Sequence, residues 1–217
     1  MIEQTQVADN PIRIRAKNIF PTVLLTLLSI VQALALELMW GHLVEQAYLY
    51  AWTFTAVLGW LQILANLLGI LLIWLIYSDL VLRLAWVPTT IDALFPFFVG
   101  ILEFAQLSAL GSGTIGPWFT ILGALFAAMS WISHATMKRA RHEEDNRVFF
   151  TNTSPATSRD HLLRALPAAA LVAIGLAIWA SGEESWFALL ALAGAVALLA
   201  YQAWMNHIYT QRAYAFP

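Results

Sequence analysis

Long apolar runs alternate with short polar breaks along this chain. The runs cover about residues 20–43, 50–77, 92–110, 118–137, 162–180 and 186–209. Each is close to the roughly 20 residues that a helix needs to cross a hydrocarbon core about 30 Å thick. Strands of a membrane barrel would be shorter and would alternate apolar with polar positions. The pattern therefore predicts an all-α polytopic membrane protein: six transmembrane helices in one domain over residues 1–217.

The breaks between runs refine that prediction. Pro21 suits the first turn of span one, where its missing N–H costs nothing. Span one begins like a signal peptide, and Ala33-Leu34-Ala35 imitates a cleavage site. The run continues through Leu38, Met39 and Trp40, as an anchor does. Ser78 to Trp86 reads as a short interfacial helix with Asp79 and Arg83 as a surface pair at i,i+4. Pro88-Thr89-Thr90 breaks the chain, and Asp92 falls in the first turn of span three, where a negative charge complements the helix dipole. Gly111 to Gly116 reads as a turn between spans three and four, and Ser181 to Ser185 as a tight turn between spans five and six. The longest loop is 138–160, where His142-Glu143-Glu144-Asp145 reads as a solvated face.

Charge placement tests the span count. Arg13, Arg15 and Lys17 precede span one, and Arg83 lies between spans two and three. Lys138, Arg139, Arg141, Arg147, Arg159 and Arg164 bracket the long loop, and Arg212 follows span six. With six spans all 11 basic residues fall on one side. The positive-inside rule then predicts cytoplasmic N- and C-termini and a cytoplasmic 138–160 loop. A bacterial inner (plasma) membrane is the expected location. Tryptophans at 40, 52, 118, 179 and 186 fall at the opposite ends of the spans, and Trp74, Trp86 and Trp204 towards the basic ends. Such positions suit headgroup-level anchors; Trp60 is the exception, deep in span two.

Composition agrees with the pattern. Of 217 residues 60% are hydrophobic and 11% charged, and mean hydropathy is +0.71. A soluble domain carries about 25% charged residues. There is no cysteine, so disulfides, thiolate catalysis and cysteine metal sites are excluded.

Candidate chemistry lies at membrane depth. At about 1.5 Å per residue, Glu103 is about 16 Å in from Asp92, near the bilayer centre. Gln62 is about 15 Å in from Trp52, Gln32 about 18 Å in from Phe20, and Ser130 about 18 Å in from Trp118. Gln62 and Asn66 share a face at i,i+4, and Glu103 and Gln106 share one at i,i+3. An intramembrane carboxyl is costly, about 2.5–3.5 kcal/mol on insertion scales, and by default marks a site. The expected substrate or ion site is therefore Glu103 with Gln62, Asn66, Gln106 and Gln32 around it. Glu37 near the outer end, Asp92, and His134 near the basic end are secondary candidates. Spans five and six carry small-residue stripes instead, Ala169-Ala173-Ala177 and Ala193-Ala197-Ala200, suited to packing or subunit contact.

Other chemistries lack their residues. No span carries a lysine for a retinal Schiff base, and the five histidines form no His-Glu-x-x-His segment. There is no Walker-type loop and no Gly-x-Ser-x-Gly elbow. No metal, cofactor or nucleic-acid partner is expected, and catalysis is less expected than transport. The leading expectation is a small-solute or ion transporter or channel-like protein. The alternative is a non-catalytic subunit or assembly partner of a larger membrane complex. The expected partners are the lipid bilayer and a homo-oligomer or complex partner docked through spans five and six.

Overall fold

The computed structural model describes residues 10–151 and 158–214, with side chains except those of 158–164 and 212–214. Its main elements are α1 (Pro11–Glu45), α2 (Phe54–Arg83), α3 (Thr90–Ser108), α4 (Ile115–Ala140), α5 (Ser158–Ser181) and α6 (Trp186–Tyr214). Among the described residues there is no strand. Five helical stretches are long and apolar enough to cross a membrane, in α1, α2, α3, α4 with its preceding turn, and α6. In α5 the described apolar stretch, Ala165–Ser181, is shorter. Residues 152–157 of the long loop lie outside the described residues, as do the side chains of Arg159, Arg164 and Arg212.

Local signals set the helix ends. Asn10 caps α1, accepting the Ile12 N–H at 3.0 Å, and Pro11 takes the first helical position. The helix thus starts before the apolar run, and Pro21 lies inside it rather than in its first turn. Thr53 caps α2 through the Ala56 N–H at 3.2 Å. α2 then runs unbroken to Arg83, so Ser78–Arg83 is its last turn and a half, not a separate interfacial helix. Nothing before Leu84 interrupts the helix, and Asp79 is held there from two sides. It pairs with Arg83, and its Oδ1 accepts the Thr210 hydroxyl of α6 at 3.0 Å. Asp79 is 7% exposed, so the i,i+4 pair is a buried one within α2 rather than a surface pair, and it is the Thr210 bond that fastens α2 to α6.

The helices alternate in direction, and contacts at both ends show it. At one end Arg13 and Lys17 of α1 pair with Glu143, Lys17 also reaches Asp145, and Arg139 of α4 pairs with Asp92 of α3. Glu143 is therefore buried and paired, where the pattern predicts a solvated face; Glu144 and Asp145 are exposed. Asn146 beside it clamps the α2–α3 connection. Its Oδ1 accepts the Ala85 N–H at 2.9 Å, and its Nδ2 donates to the Ala85 and Ala140 carbonyls at 2.5 and 2.7 Å. At the other end Glu183 accepts the Gly116 N–H at 2.8 Å, and Thr55 donates to Glu184 at 3.3 Å.

Lateral packing runs around a ring. α6 lies along α2, α2 along α1, α1 along α3, α3 beside α4, and α4 along α5; α5 and α6 meet only sparsely. The α4–α5 pair is the tightest because glycines face backbone: a methyl at Gly175 would lie 2.6 Å from the Gly116 carbonyl oxygen. That contact uses the Ala168, Leu171, Gly175 and Ile178 face of α5, all buried. The Ala169-Ala173-Ala177 and Ala193-Ala197-Ala200 stripes are exposed, with Ala169 and Ala173 on the edge of a groove beside α4. Trp118 and Trp86 are buried in the core, where tryptophan placement alone predicts headgroup anchors. Trp60, the expected exception, turns towards the α1–α2 connection and donates from Nε1 to the Leu49 carbonyl at 2.9 Å.

Candidate functional site

The inward face of α3 builds the site. Phe95, Val99, Glu103 and Gln106 are buried at helical spacing, so one stripe carries both the carboxyl and the carboxamide towards the ring's centre. Gly100, one turn before, leaves room for α1; a methyl there would lie 2.7 Å from Val31 Cγ1. Val31 is followed by Gln32, and the close approach brings its Nε2 to Glu103, donating to Oε1 at 2.9 Å and Oε2 at 3.1 Å. Both residues are buried. Sequence spacing places Gln32 and Glu103 at one depth; the glycine next to them makes the bond reachable.

The other expected members divide. Gln62 is fully buried, but its Oε1 accepts the Gly111 N–H at 3.1 Å and so holds the α3–α4 turn. Gly111 itself has φ 137°, a conformation that side-chain-bearing residues rarely adopt. Asn66 donates to the Gln62 carbonyl at 2.9 Å, one turn back in its own helix. Gln106 is buried, and its Nε2 has no protein partner.

Glu103, Gln106 and Asn66 line a cavity of about 580 Å³ between α2, α3, α4 and α6, edged by Pro167 of α5. Gln32 and Gln62 stand behind its wall. The cavity reaches from Asn66 to Ile76 along α2 and from Leu199 to Tyr209 along α6. Each is ten residues, or about 15 Å. It thus runs from the level of Glu103 towards the basic end of the bundle. Much of its wall is apolar: Ile70, Ile73, Leu122, Phe126, Met129 and Met205.

Sequence reasoning placed the site on spans one to four and missed what α6 contributes. Gln202, Asn206 and Tyr209 line the cavity opposite Ser130 and Ser133 of α4. Their spacing, i, i+4, i+7, was available as a signal; the alanine stripe earlier in the same span masks it.

The secondary candidates lie apart from the cavity. Asp92 starts α3, accepting the Thr89 N–H at 2.7 Å and the Thr89 hydroxyl at 2.8 Å while pairing with Arg139. Glu37 is exposed on α1. His134 lies on a separate groove between α4 and α5, with Trp131 and Ala169. Among the described residues no three His, Cys, Asp or Glu side chains converge to hold a metal ion.

Comparison with family models, curated proteins and solved structures finds no match for this chain.

Proposed function

We propose that this chain is a small membrane transporter or channel-like protein whose solute or ion passes through the cavity at Glu103. The observation that carries the reading is a buried carboxyl lining a largely apolar cavity; six spans would put it at the depth where a charge is most costly. A carboxyl that served only to join α1 to α3 would need its Gln32 partner and no cavity. Glu103 has both.

In this reading six spans cross a bacterial inner membrane. The end carrying Arg13, Arg15, Lys17, Arg83 and Lys138 faces the cytoplasm, together with both termini. The cavity then extends from midplane towards the cytoplasmic side, with Glu103 at its inner limit. The exposed alanine stripes of α5 and α6 join copies of the chain into a homo-oligomer.

The test is flux in liposomes containing the purified protein and a pH-reporting dye. Glu103→Gln keeps the shape and an acceptor for Gln32 but removes the ionisable group. We expect it to lower pH-dependent flux at least tenfold. Wild-type liposomes that show no flux, or a variant that matches wild type, would end the transport reading.

One observation favours a second reading, that of a subunit in a larger membrane complex. The same alanine stripes suit contact with a different membrane protein, and helices pack closely where small residues meet.

A further inference from the structure

The cavity's lining narrows what can bind in it. Among the described residues that line it, Glu103 is the one side chain that can carry a charge near neutral pH, and none is a lysine, arginine or histidine. An anionic ligand would face the Glu103 carboxyl with no cation among the described lining residues to offset it. A calcium or magnesium ion would need six or more oxygens in a compact shell, and no three His, Cys, Asp or Glu side chains converge among the described residues. The long apolar wall would also be idle around an inorganic ion. A volume of about 580 Å³ lies within the usual range for organic ligands.

We infer that the ligand of this cavity is an amphipathic organic cation. Its positive centre sits beside Glu103, and its apolar body lies along Leu122, Phe126, Met129 and Met205. The inference rests on the transport reading for its purpose, but it concerns binding and can be tested without flux.

The probe is propranolol, an amphipathic amine with ether and hydroxyl oxygens close to its nitrogen. Its N-acetyl derivative keeps the body and loses the charge. Both are titrated calorimetrically into detergent-solubilised protein, with matched micelles as the blank. Wild type is expected to bind the amine at least tenfold more tightly than the amide, and Glu103→Gln to lose that preference. Equal affinities in wild type, or a preference that survives Glu103→Gln, overturn the inference. A second variant guards against misfolding of the first. Met129→Trp fills the apolar end without touching the Gln32–Glu103 bond and should weaken amine and amide alike by tenfold or more. Undiminished binding there puts the ligand elsewhere and also overturns it. The two proposals fail separately. Amine preference without flux ends transport and keeps the cation site, and Glu103-dependent flux without amine preference does the reverse.

Discussion

At the scale of single residues, Gln32 decides whether Glu103 can be buried at all. Its amide donates to both carboxyl oxygens, and no other protein donor reaches them among the described residues. A buried polar group stripped of its partner costs about 1–3 kcal/mol, whereas removing both partners together can be nearly neutral. Gln32→Leu is therefore expected to destabilise the detergent-solubilised protein by about 1–3 kcal/mol. In the double variant Gln32→Leu/Glu103→Leu much of that loss should return. Thermal unfolding of the two single variants and the double one closes the cycle. A Gln32→Leu protein as stable as wild type would show that water, not Gln32, satisfies the carboxyl. The sequence made both residues legible, because a polar group inside a long apolar run stands out. Their bond was not legible. Gln32 and Gln62 reach similar depth, and choosing between them requires knowing that Gly100 admits α1 beside Glu103 while the Gln62 Oε1 is turned to the Gly111 N–H.

At the scale of elements, apolar runs locate the helices well but locate their ends poorly. α1 starts nine residues before the run's first residue, Phe20, and α2 ends six after its last, Tyr77. Each extra turn is held by partners distant in sequence: Arg13 and Lys17 by Glu143, Asp79 by Thr210. Such pairings leave no local trace. The α5 stripe illustrates a different limit. Ala169, Ala173 and Ala177 and the buried Ala168, Leu171 and Gly175 both fit helical spacing, so periodicity alone does not say which face meets α4. The structure gives the glycine face to α4 and leaves the alanine face open. Because the chain has no cysteine, Ala173→Cys introduces a single thiol. Under mild oxidation in membranes, a second copy of the chain should be captured at twice the monomer mass. Capture of one different protein in stoichiometric amount would favour the subunit reading, and a monomer alone would leave the stripe to lipid.

At the scale of the whole molecule, the two ends of the bundle are fastened differently. One end relies on Glu183 and Glu184, which take a backbone N–H of α4 and a hydroxyl of α2. The basic end relies on carboxylates facing cations, and Glu143 is its centre, joining α1 to the segment after α4. Burial works against the ionised form of Glu143. Hydrogen bonds from Lys17 and Arg13 and their charges outweigh it, so the carboxyl titrates below its ordinary value of 4.5. A carboxyl whose folded value lies below its unfolded one stabilises the fold fully above the unfolded value. That contribution disappears as pH falls through the folded value. The basic end should accordingly hold from neutrality down to about pH 4.5 and loosen below it, while the interior around Trp118 and Phe119 stays packed. Hydrogen exchange read by mass spectrometry on the 141–146 segment is the direct measurement. Wild type should show protection at neutral pH that falls under acid conditions. Glu143→Gln should show the lower protection already at neutral pH, because a neutral amide cannot replace the charge that Arg13 and Lys17 face. Protection unchanged by acid in wild type, or retained in full by Glu143→Gln, would mean that the Asn146 clamp on Ala85 holds this end without the ion pairs.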